Sequence, residues 1–175
     1  SMKSKLFLLI FIFFFIFKSI SFGEIFKFES SDIKILEKGN IVKAFNGVKA
    51  ISDNGIYSES ERSVYDKENN ILNLYGNVLI NDTEKQIQAV SDEAVYFKNE
   101  ERMKLIGNVL INDLTKQIQT DSDEAEYFQN KEILRLFGNV AINDSINKIK
   151  TEANEIYYYK IEDLLKSIGK SETII

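Results

Sequence analysis

Apolar residues fall on every second position through much of the chain, and from Ile71 onward this alternation repeats with a fixed period. Leu72, Leu74, Val78 and Ile80 share one parity, with Gly76 among them. Met103, Leu105, Gly107, Val109 and Ile111 follow, then Leu134, Leu136, Gly138, Val140 and Ile142. Side chains alternate across a strand, so these sets line one face of three equivalent strands. The other parity is mixed, with Asn73, Asn77, Lys104, Asn108, Arg135 and Asn139 beside Tyr75, Ile106 and Phe137. One face is therefore predicted to be buried and the other half wet. The phrase Gly-Asn-Val, followed by Ile-Asn-Asp, begins at Gly76, Gly107 and Gly138, 31 residues apart, and Gly169 falls on the next beat. Self-similarity at this period marks a repeat architecture, in which each unit buries its apolar face against its neighbours.

The second half of each repeat starts after the Asn-Asp turn. Ile87, Ala89 and Ser91 share one parity, as do Ile118, Thr120 and Ser122, and Ile149, Thr151 and Ala153. The inward residues then reappear on the other parity, as Ala94 and Tyr96, Ala125 and Tyr127, Ile156 and Tyr158. A switch at the same place in three copies predicts one extra residue, a bulge or bend near Asp92-Glu93, Asp123-Glu124 and Asn154-Glu155. Such a bend lets one long strand turn a corner and serve two sheets. Polar turns at 98–101 and 129–132 lead back to Gly-Asn-Val, so each repeat is two antiparallel strands.

Upstream, Phe26-Lys27-Phe28-Glu29 reads as a first strand, Ser30-Ser31-Asp32 as a break, and Ile33-Lys34-Ile35 as its resumption before a turn at Glu37-Lys38-Gly39-Asn40. Val42, Ala44, Gly47-Val48 and Ala50 follow, with a turn at Ser52-Asp53-Asn54-Gly55. The polar stretch 56–65 is the weakest strand signal. Near the C-terminus, Ile161, Leu164, Leu165 and Ile168 have helical spacing. Their alignment with the strand before Gly138 favours strand instead.

Composition narrows the class. Lys3 and Lys5 precede an unbroken apolar run at 6–17, and Ser21-Phe22-Gly23 places small residues at the −3 and −1 positions of a cleavage after Gly23. Residues 1–23 read as a secretory signal peptide, the run being short for a membrane span of roughly 20 residues, and 24–175 as the exported domain. Loss of that segment takes three Lys and moves the formal charge from −5 to −8. An acidic surface argues against nucleic acid as partner. Zero Cys excludes disulfides, and zero His removes the commonest general base and metal ligand.

Asp82, Asp113 and Asp144 would stack as an acidic ladder, yet Asn-Asp is also an ordinary turn sequence, and we expect no metal there. Asp92-Glu93 and Asp123-Glu124 resemble catalytic carboxylate pairs, but neighbours in a strand point to opposite faces and their repetition suggests a structural role at the bend. We expect neither an enzyme nor a cofactor. The mid-strand glycines either let the strand bend or leave room for something bulky against the backbone. The apolar face itself is the remaining candidate site. It forms a dry core if the two sheets converge and an apolar trough if they stay splayed, and periodicity leaves both open.

The unit just described, Gly-Asn-Val, alternation, a polar turn, Ile-x-Ala/Thr-x-Ser-Asp-x-Ala-x-Tyr-Phe and return, resembles the OstA-like repeat of the LptA family of periplasmic lipopolysaccharide-transport proteins. Phe26-Lys27-Phe28-Glu29-Ser30 looks like the family's first edge strand, and Gly47-Val48 like a degenerate first copy of Gly-Asn-Val. The resemblance implies an all-β fold, a twisted open β-jellyroll stacked from antiparallel strands, with repeats starting near Gly47, Gly76, Gly107 and Gly138. It implies that the acyl chains of lipid A lie along Phe26, Phe28, Ile33, Ile35, Leu72, Leu74, Val78, Ile80, Ile87, Tyr96, Leu105, Val109, Ile111, Ile118, Tyr127, Leu136, Val140, Ile142, Ile149 and Tyr158. It also implies edge-strand pairing with an inner-membrane LptC-like protein, an outer-membrane LptD-like protein, or further copies head to tail. The same repeat builds the N-terminal domain of LptD and the membrane-anchored LptC, so both are alternatives within the resemblance. A structural exported β-solenoid with a closed core is the alternative outside it.

Overall fold

The computed structural model describes residues 26–53 and 55–175; the segment read as a signal peptide lies outside the described residues. Among the described residues eleven strands form one antiparallel sheet: β1 Lys27–Leu36, β2 Ile41–Ile51, β3 Ile56–Ser60, β4 Arg62–Asp66, β5 Ile71–Asp82, β6 Ile87–Phe97, β7 Arg102–Asp113, β8 Ile118–Phe128, β9 Ile133–Asp144, β10 Ile149–Tyr159 and β11 Leu164–Ile174. Spatial order follows chain order, with β3 and β4 lying end to end between β2 and β5. They act as one strand interrupted at Glu61, whose N–H reaches the Tyr75 and Gly76 carbonyls. The polar stretch 56–65 is strand because its inward residues are small: Ser58, Ser60 and Ser63 are buried beside Tyr65. The C-terminal segment is also strand, paired with β10 along its length.

Each long strand turns a corner, dividing the sheet into two arms. In β5, residues 71–75 pair with 93–97 of β6 in the first arm, and 78–82 pair with 87–91 in the second. The bend falls at the predicted height, but the extra residue does not sit at Asp92-Glu93. Gly76 and Asn77 together oppose Asp92, and Gly107 and Asn108 oppose Asp123. The reason is conformational: each Gly-Asn pair has positive φ at both residues, for example +79° at Gly107 and +47° at Asn108. The Gly-Asn strand takes four residues from one inward side chain to the next around the corner, and its partner takes three.

What lies against the glycine is a carboxylate from the preceding strand. A Cβ on Gly107 would stand 2.4 Å from Asp92 Oδ2, and one on Gly138 would stand 2.3 Å from Asp123 Oδ2. The Asn108 amide donates to Asp92 at 2.8 Å, Asn139 to Asp123 at 2.9 Å and Asn77 to Glu61 at 2.6 Å. The recurring carboxylates of the repeat thus cap the corner.

Asp82, Asp113 and Asp144 make the turns of the second arm. Their Oδ1 atoms accept the backbone N–H of Lys85, Lys116 and Asn147, each at 2.9 Å. Successive turns of the first arm are linked in turn, Lys98 N–H to Asn70, Gln129 N–H to Glu101 and Lys160 N–H to Glu132. The core fills the space between the arms, with Val78, Val109, Leu136, Val140 and Ile156 wholly buried at and beside the corner.

Candidate functional site

Between the arms, away from the corner, lies an apolar groove. Its wider part has a volume of about 100 Å³. One wall is Ile80, Ile87, Ala89, Ile111, Ile118 and Thr120 of the second arm; the other is Met103, Leu105, Ala125, Tyr127, Leu134 and Tyr158 of the first. A narrower part of about 30 Å³ continues toward the N-terminal end between Phe26, Ser58, Leu72, Leu74, Ala94 and Tyr96, sharing Ile56, Ile80 and Met103 with the first. Both parts exist because β-strands present every second side chain inward and the corner holds the two sets face to face.

Of the residues assigned from sequence, Ile80, Ile87, Leu105, Ile111, Ile118, Tyr127 and Tyr158 line the wider part. Phe26, Leu72, Leu74 and Tyr96 line the narrower one. Val78, Val109, Leu136, Val140 and Ile142 do not reach the groove: they are packed shut in the core cluster. Phe28 packs on that cluster and on Tyr65, and Ile149 is half-buried. Ile33 and Ile35 share the inward face with Ala44 and Val42, their register partners, but are 43% and 65% exposed. They belong to an edge strand, and none of the described residues crosses over them.

Sequence reading missed Tyr65, which stands 31 residues before Tyr96 and completes a column of tyrosines at 65, 96, 127 and 158. The period was the available signal. Phe26 caps the N-terminal end of that column, 5.1 Å from the Tyr65 ring and 6.1 Å from the Tyr96 ring.

The rim is polar and strapped. Lys85, on the β5–β6 turn, reaches over to donate to the Tyr127 hydroxyl at 3.4 Å, its ammonium 5.5 Å from the ring centroid. One repeat on, Lys116 donates to the Tyr158 hydroxyl and to Asp163 Oδ1 at 2.9 Å, and Tyr158 donates to the same oxygen at 2.8 Å. Both straps join the two arms. Burial alone would lower the Lys85 ammonium, but Tyr127 and the charges of Asp82 and Glu132 raise it. The hydrogen bond to Tyr158 raises Lys116 against its burial, with help from Asp163. Burial pushes the Tyr127 and Tyr158 hydroxyls up. Both pairs are thus ammonium donors on neutral hydroxyls at neutral pH.

At the two ends of the sheet, β1 and β11 each have one edge with no strand partner among the described residues. Apolar side chains accompany both: Ile33, Ile35 and Leu36 on β1, and Leu164, Leu165, Ile168 and Ile174 on β11 are exposed. Leu165 pairs in register with Tyr158, so the inward face continues onto β11 as it does onto β1.

No protein-family model matches the chain, and no curated protein matches it by sequence. Among solved structures it is similar to LptH, described as the LptA homologous periplasmic component of the lipopolysaccharide transport device of Pseudomonas aeruginosa. That match has a TM-score of 0.58 and 11% identity, and covers 66% of this chain and 83% of LptH. The fold of this chain is that of an LptA-like β-jellyroll.

Proposed function

We propose that the chain is a periplasmic carrier of lipopolysaccharide, a binding protein without catalysis, which holds lipid A acyl chains between its two arms. The observation that carries this reading is the apolar groove, walled by side chains from both arms and edged by a polar rim. The acidic balance of the chain makes acyl burial the leading source of affinity, at roughly 25 cal/mol per Å² of apolar surface removed from water. Pockets for drug-sized ligands run to roughly 300–1,000 Å³. At about 100 Å³ the groove is narrower, so uptake requires the arms to part along the rim. The free apolar edges of β1 and β11 suit strand addition, by which LptC-like and LptD-like partners or further copies of the chain would extend the groove into a bridge.

The narrowness also favours a second reading, a structural solenoid with a closed core. Photo-crosslinking separates the two. A photoreactive residue at Ile111 or Ile118, in cells that make lipopolysaccharide, is expected to give a lipopolysaccharide adduct, whereas one at outward-facing Gln119 is not. A folded, exported protein that yields no adduct from either groove position would establish the closed core.

A further inference from the structure

We propose that Lys85 and Lys116 form a rim site for the phosphate groups of a diphosphorylated glycolipid whose acyl chains occupy the groove; this rests on the carrier reading above. The two lysines occupy equivalent turns one repeat apart. Two strands separate them, so they stand roughly 10 Å apart along the rim. That spacing suits two anionic groups at opposite ends of one headgroup better than a clamp on a single phosphate.

Their present partners are weak competitors for an anion. Lys85 donates to a neutral hydroxyl and makes no ion pair within 4 Å among the described residues. The charges of Asp82 and Glu132 face it from farther away. Lys116 pairs with Asp163, whose side chain is 75% exposed, and exposed pairs contribute little. Asp82 and Asp113 hold the turn N–H groups with Oδ1. A phosphate offers more charge and more acceptor oxygens than a hydroxyl and one carboxylate.

Ligand binding also frees both lysines. Lys85 to Tyr127 and Lys116 to Tyr158 span the mouth, so an acyl chain cannot seat between the arms without parting them. The released ammonium groups are then at the height where the headgroup emerges, on flexible stems that can follow it. Lys160, 5.8 Å from the Tyr127 ring centroid, adds a third positive charge on the same rim.

The test is displacement of a fluorescent fatty acid from the full chain by diphosphoryl or monophosphoryl lipid A. The wild type, a Lys85→Met/Lys116→Met double variant and the corresponding Arg double variant are compared. Met keeps the stem length and removes the charge. The wild type is expected to prefer the diphosphoryl lipid by about tenfold, with the preference shrinking as salt rises. The Met variant should still take up the probe without distinguishing the lipids, and the Arg variant should restore the preference. Uptake of the probe with no wild-type preference, or a preference unchanged in the Met variant, would overturn the rim site and leave the carrier reading intact. Tighter binding of both lipids alike to the Met variant would show the lysines to be only a latch, which also overturns it. Failure of the wild type to take up the probe would remove both proposals.

Discussion

At Gly107 a single residue carries two requirements, a φ of +79° and the close approach of Asp92. Gly107→Ala is expected to destabilise the protein by about 1–3 kcal/mol from backbone strain, plus the displacement of Asp92. Urea unfolding of the single and double variants checks this: in an Asp92→Ala background the clash with the carboxyl group disappears, while the 3.1 Å approach of the residue 92 Cβ and the backbone strain remain, so the two substitutions are non-additive. Equal stability of Gly107→Ala and the wild type would refute the account of the corner. A second residue-scale expectation concerns acid. Arg135 donates to Glu155 at 2.6 Å and holds its carboxyl below the ordinary glutamate range. A lowered carboxylate stabilises the fold above its unfolded value, and that contribution is lost as pH falls through the folded value. Thermal unfolding from roughly pH 7 to pH 3 should therefore show Glu155→Gln less stable than wild type near neutrality and equal to it in acid.

Among the elements, the edge strands differ most from an isolated solenoid's needs. Long unpaired edges invite association, and proteins that avoid it place charge there. On β1, Lys27, Glu29 and Lys34 alternate with Phe28, Ile33 and Ile35, so the edge is only partly guarded. Head-to-tail pairing of β1 with β11 of another copy predicts association that rises with concentration. Ile35→Lys, which places a charge on the exposed inward face of the edge, should shift sedimentation to the monomer without altering thermal stability. Association undiminished in that variant would locate the contact elsewhere.

For the whole molecule, the 31-residue period means that each repeat presents the same corner, turns and wall to its neighbours. Excision of residues 107–137 joins Ile106 to Gly138 and sets Asp92 against Gly138 and Asn139, in place of Gly107 and Asn108. The shortened chain should fold cooperatively, with a lower midpoint and a smaller denaturant slope, because the slope follows the surface exposed on unfolding. Loss of cooperative unfolding would mean that the repeats are not interchangeable.

The period, the strand alternation and the place of the corner were legible in the sequence because they are local: side-chain parity and positive-φ residues act within a few positions. The turn role of Asp82, Asp113 and Asp144 was legible for the same reason. Which strand held the extra residue was not, since a bulge is a count between two strands and only their register reveals it. Nor did parity separate Ile111, which lines the groove, from Val109, which is packed shut, or place Ile33 and Ile35 in the open. Those outcomes depend on what the opposite arm sets across from each side chain. Lys85 and Lys116 read as polar turn residues, and only the approach of the arms puts each of them against a tyrosine 42 residues farther along the chain.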